Sequence, residues 1–111
     1  MGILKAALAA REEKQKELID KALKEAKRVS DILVKKFGAA EVQLYGSLLE
    51  KKDFNEYSDI DISVKGLGDK YLRAFGYCIR MSDFDIDIRR YEDLPARIKG
   101  IIDKEGLKLY G

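Results

Sequence analysis

The strongest constraint on this chain is an alternation that occurs twice. From Ser58 to Val64, Ile60, Ile62 and Val64 fall on one side, and Asp59, Asp61 and Ser63 on the other. From Phe84 to Tyr91 the pattern returns, with Phe84, Ile86 and Ile88 opposite Asp85, Asp87 and Arg89. A period of two over such runs marks strands with one buried face. Aspartate is disfavoured in strands, and like charges two residues apart on one strand face repel. Either acidic pair alone reads equally well as a solvated strand face. Two pairs, each backed by purely aliphatic residues, shift that balance. If the strands are neighbours in one sheet, the carboxylates converge, and their repulsion is relieved by a divalent cation that prefers hard oxygen ligands.

The remaining sequence frames these strands. Leu18, Ala22, Ala26, Val29, Leu33 and Phe37 recur at helical spacing, with Ile19, Leu23 and Ile32 widening the stripe. They predict a helix over residues 5–37 that covers a sheet, with Gly38 as its C-cap. Its start, Ile3 to Ala10, is more apolar than such a cover requires, so it either docks on a second copy or a partner, or frays. Val42 to Tyr45 reads as a strand ended by Gly46-Ser47, with Ser47 as N-cap of a short turn to Glu50. Gly66 and Gly68 break the second strand, and Asp69 is placed to cap a helix over residues 70–81. Asp93 and Pro95 open a helix to about Asp103. Gly106 stops it, leaving Leu107 to Tyr110 as a last short strand or a packing tail. The expected fold is α+β, a small mixed β-sheet with helices packed on one side, preceded by a long N-terminal helix. Residues 1–38 form the helical segment and residues 39–111 the remainder of what a chain this short builds as one compact domain.

Composition removes several chemistries. The chain of 111 residues has no histidine, which excludes Ser-His-Asp and Cys-His nucleophile systems and makes ordinary zinc sites improbable. Any metal is held by oxygen, which favours Mg²⁺, with Mn²⁺ as the alternative. The single cysteine, Cys78, excludes an intramolecular disulfide and fits a reducing cytoplasm. Net charge is +2, with lysines and arginines interleaved among acids, so no specific nucleic-acid partner is expected. No apolar run approaches the roughly 20 residues that span a bilayer. The opening MGILKAALAA is interrupted by Lys5 and runs into a charged helical pattern, so it reads as helix and not as a signal peptide.

Carboxylates that hold two cations a few ångström apart are a known means of in-line phosphoryl displacement. Gly46-Ser47 then gains a role. Glycine lets a phosphate approach the backbone, and the Ser47 hydroxyl and nearby N–H groups donate to phosphate oxygens. Gly-Ser alone occurs by chance in most chains, and its weight comes from lying between a strand and an acidic strand.

The run Leu44-Tyr45-Gly46-Ser47 through Ser58-Asp59-Ile60-Asp61-Ile62 resembles the Gly-Ser and Asp-x-Asp signature of DNA polymerase beta-like nucleotidyltransferases. Val64 to Tyr110, including Asp87-Ile88 and Glu92-Asp93-Leu94-Pro95, is similar to the small stand-alone members called minimal nucleotidyltransferases. The resemblance covers residues 42–110 and leaves out the N-terminal helix. It implies the polymerase beta-like catalytic fold, ATP as substrate, and Mg²⁺ held by Asp59, Asp61 and Asp87, with Asp85 the runner-up for the third acid. Gly46 and Ser47, with Lys51 or Lys52, are the implied phosphate-binding residues. The resemblance further implies an antitoxin paired with a HEPN-type toxin, onto whose tyrosine AMP is moved. Glu50-Lys51 stand where the family commonly has Arg-Gly, and the loop to Asp59 is about one residue longer. Two alternatives remain: an antitoxin that masks its partner without catalysis, and a nucleotidyltransferase with a small-molecule acceptor. Tyr45, Tyr57 and Tyr91 are candidates to stack on a base, though tyrosine at strand positions more often packs.

Overall fold

The structure, a computed structural model, describes residues 2–51 and 53–111. Helix α1 (Gly2–Lys35) leads into strand β1 (Glu41–Tyr45), the single turn α2 (Ser47–Glu50) and strand β2 (Ile60–Lys65). Helix α3 (Tyr71–Met81) follows a 3-10 turn at Gly68–Lys70. Strand β3 (Ile86–Arg90), a 3-10 turn at Tyr91–Asp93, helix α4 (Ala96–Glu105) and strand β4 (Leu107–Tyr110) complete the chain. The fold is α+β, built on a mixed four-stranded sheet of order β3-β2-β1-β4. β1 is antiparallel to both β2 and β4, whereas β2 and β3 are parallel. Parallel neighbours need a crossover, and α3 supplies it.

Each strand's alternation decides what it faces. Val42, Leu44, Ile60, Ile62, Val64 and Ile88 are buried on one side of the sheet. There they meet Ala22, Ala26, Val29 and Leu33 of α1 and Ala74 and Cys78 of α3 in one continuous core. The expected stripe on α1 is therefore the buried stripe. Burial begins only in the second half of the helix, since residues 2–14 are exposed and Ile3 keeps 91% of its surface in water. Gly38 ends the helix in the left-handed region (φ 74), where glycine carries no Cβ penalty. Its N–H and that of Ala39 donate to the Val34 and Leu33 carbonyls at 3.0 Å.

The opposite sheet face is covered over half its length. Glu41, Gln43, Ser63 and Lys65 lie there, and Gln43 and Ser63 are buried. The cover is α4 with the turn before it. Tyr91 lies under the Lys65 ammonium, 4.2 Å from its ring centroid, and under Lys99 of α4 at 5.4 Å. Ile102 and Leu94 are buried but stand outside the main core. The expectation of helices on one side thus holds for α1 and α3 and fails for α4. The polar residues of β1 and β2 gave no sign of this second layer.

Several boundaries also move. Ser47 is not an N-cap: Gly46 takes that position and Ser47 is the first helical residue, with no side-chain capping bond. Asp69 lies inside the 3-10 turn and caps nothing. Pro95 precedes α4, which runs on to Glu105. Leu107–Tyr110 is a strand, paired with β1. Among the described residues no helix is long and apolar enough to cross a membrane.

Candidate functional site

The uncovered half of the polar sheet face is where the two alternations meet. In the parallel β2–β3 ladder Asp61 is the register partner of Asp87. In the antiparallel β1–β2 ladder Asp61 is also the partner of Tyr45. One central carboxylate therefore has an acid on one flank and the end of the Gly-Ser strand on the other. Asp59 lies just before β2 and is exposed. Asp85 precedes β3, where its carbonyl accepts from the Ile60 N–H at 2.8 Å. A shallow cavity of about 400 Å³ opens beside them, lined in part by Asp59, Asp85, Asp87 and Phe84.

Gly46 is fixed by its contact with Asp61. Its backbone (φ 79, ψ −153) falls in a region essentially reserved for glycine. A Cβ there would lie 2.2 Å from Asp61 Oδ2, far inside contact distance. The chain thus turns against the carboxylate at the one position where no side chain intervenes. The Ser47 hydroxyl makes no hydrogen bond among the described residues and sits one residue beyond this contact.

Crowding shows in the protonation of Asp61. Burial, then the charges of Asp87 and Asp59, push its pKa up to about 6, with Arg89 acting the other way. Asp87, and not Asp85, is among the leading causes of this shift. Burial first, and Asp61 next, also raise the Tyr45 hydroxyl above the usual phenol range.

Arg89 is the residue that the sequence pattern placed on this face without a role. Its Nε donates to Asp87 Oδ2 at 3.0 Å. That bond leads the causes that raise the Arg89 pKa. The signal was present, since the alternation sets Arg89 two residues beyond Asp87 on the same side. With Asp87 turned to Arg89, the acids do not close on a common point. Among the described residues no group of three acidic side chains is set to hold a metal ion.

Of the two basic residues expected to reach a triphosphate, Lys51 is described. Lys51 ends α2 in the left-handed region (φ 65), exposed, with its N–H donating to the Ser47 carbonyl at 2.9 Å. Lys52 lies outside the described residues. Of the candidate stacking tyrosines, Tyr57 is 83% exposed in the loop before β2. Tyr91 is engaged by two lysines and donates its hydroxyl to Asp103 Oδ1 at 2.6 Å. Tyr45 alone borders the acids.

By residue type this face offers what a hard cation prefers, carboxylate oxygens and no histidine, but the described acids are not gathered into a three-ligand group. No protein-family model matches the chain, and no curated protein sequence matches it.

Proposed function

We propose that this chain is a Mg²⁺-dependent nucleotidyltransferase of the DNA polymerase beta-like class. In this reading it moves AMP from ATP onto a hydroxyl, the acceptor being a tyrosine of a HEPN-type toxin and the chain its antitoxin. The observation that carries the reading is the central position of Asp61. It is paired in register with Asp87, flanked by Asp59 and pressed against Gly46. A solvated strand face has no need of a glycine held in a glycine-only conformation against its most buried carboxylate.

Asp59, Asp61 and Asp87 are the residues that would hold the ion. When bound, Mg²⁺ would offset triphosphate charge and acidify an attacking hydroxyl. The chain's own part is positional. Gly46 lets the turn pack directly against Asp61, and the Ser47 hydroxyl one residue on would donate to a phosphate oxygen. Asp61, whose pKa is pushed up to about 6, must ionise for the site to take a cation. The half of the polar face that α4 leaves uncovered stays open toward solvent, and a partner protein would close it, which favours a protein acceptor.

One observation favours the second reading, an antitoxin that masks its partner without catalysis. Asp87 is held by Arg89, so the described arrangement satisfies that acid internally. Labelled ATP, Mg²⁺ and the product of the neighbouring gene separate the two readings. Transfer of label to that product, absent with Asp59→Asn/Asp61→Asn, supports the enzyme. No transfer, with tight partner binding unchanged in the same variant, overturns it in favour of masking.

A further inference from the structure

We propose that the groove between the C-terminal end of α1 and the outer side of α3 binds single-stranded RNA through its phosphates. The groove encloses about 520 Å³, and its walls carry Lys36, Lys70, Arg73 and Arg80 without a single acidic residue. Three of these cations lie in Lys70 to Met81, a segment that holds no acid, and the fold brings Lys36 beside them. Lys70, Arg73 and Arg80 follow one stripe along α3 and the turn before it, while Lys36 joins them from α1. Among the described residues none of the four forms an ion pair, whereas Arg28, Lys65, Arg89, Arg90 and Lys108 all do. Four uncompensated cations around one concavity repel each other, and an occupant with regularly spaced negative charge relieves that repulsion.

Geometry and apolar content favour a nucleic-acid strand. Lys70 to Arg80 is ten residues of helical path, about 15 Å at the helical rise. That length matches several phosphates of one strand. Tyr77 lies in the groove wall, its ring held edge-on by Phe37 at 5.7 Å and covered by Lys36 at 5.0 Å. Leu72, also in the wall, is 77% exposed between the cations. Unpaired bases offer flat partners to such side chains, while a duplex keeps its bases stacked inside. An acidic peptide would meet the charges and leave Leu72 uncovered. RNA presents such unpaired bases in its loops, bulges and ends. The proposal is independent of the acidic site, which lies on the other face of the sheet.

The test is fluorescence anisotropy of a labelled uridine-rich RNA strand with the full chain across a salt series. With three phosphates engaged, affinity falls about 20-fold between 50 and 200 mM salt, from a slope near −0.7 per phosphate. Arg73→Glu/Arg80→Glu lowers affinity by about tenfold or more, while Arg97→Glu/Lys104→Glu on α4 changes it by less than about twofold. Should the first pair fail to fold, Arg73→Gln/Arg80→Gln carries the same comparison with a smaller loss. Absence of saturable binding at low salt overturns the proposal. So does equal loss in the α3 and α4 variants, or displacement of the RNA by polyglutamate at equal charge.

Discussion

Replacing Asp61 with asparagine should stabilise the metal-free protein at neutral pH and have little effect in acid. The side chains are nearly isosteric, so the tight contact with Gly46 is preserved and the change is chiefly one of charge. The folded-state pKa of Asp61 is about 6 against an ordinary value of 3.8, so folding favours the protonated acid. Its contribution is fully present below the unfolded value and is lost as pH rises from about 4 through about 6. Roughly two units at 1.36 kcal/mol each give on the order of 3 kcal/mol, an upper figure for a group that keeps some contact with water. Urea denaturation in EDTA should therefore find Asp61→Asn more stable by about 2–3 kcal/mol at pH 7.5, the gap shrinking to under about 1 kcal/mol at pH 4. Glu25, whose pKa is lowered first by its bond from Arg28, shifts stability in the opposite sense. It does so in both proteins, so it cancels in the difference. A variant less stable than wild type at pH 7.5, or a gap that ignores pH, would refute the claim that Asp61 is buried beside like charges.

Three further outcomes test the site. Gly46→Ala should cost at least about 2 kcal/mol in the same denaturation assay, combining a glycine-only backbone with a Cβ driven into Asp61; a near-neutral substitution would mean the turn is looser than described. Asp87→Ala should abolish nucleotidyl transfer with the fold intact by circular dichroism, while Asp85→Ala retains it; the reverse pattern would make Asp85 the third acid. Arg89→Gln should raise divalent-ion affinity several-fold in a Mn²⁺ titration, because the guanidinium competes for Asp87; weaker uptake would show that Arg89 orders the site instead of guarding it.

Much of this arrangement was legible because strand alternation is a local property. Ile60, Ile62, Ile86 and Ile88 mark their buried face whatever lies next to them, and the α1 stripe does the same at helical spacing. The register of Asp61 against Asp87 was not legible. It depends on the crossover through α3 making β2 and β3 parallel neighbours, a long-range outcome that no short window contains. The Gly46 contact with Asp61 was hidden for the same reason: Gly-Ser is common, and only the fold shows which carboxylate lies over it. α4 was assigned to the wrong face because its amphipathic pattern says that it packs, not on what. Asp69 and Ser47 were read as caps from residue type, yet the backbone entered each turn one step away from the geometry a cap requires. The lack of acids from Lys70 to Met81 stood in the sequence, but that Lys36 joins that stripe across the groove did not.

The claim at the centre is that Asp59, Asp61 and Asp87 serve one metal–nucleotide site, and it can be tested without knowing the acceptor. Electron paramagnetic resonance of Mn²⁺ titrated into the protein with a non-hydrolysable ATP analogue reads that site directly. Wild type should take up Mn²⁺ with the analogue, and Asp59→Asn/Asp61→Asn should bring uptake down to that of the analogue alone. Equal uptake by both proteins, or none by either, would contradict the account.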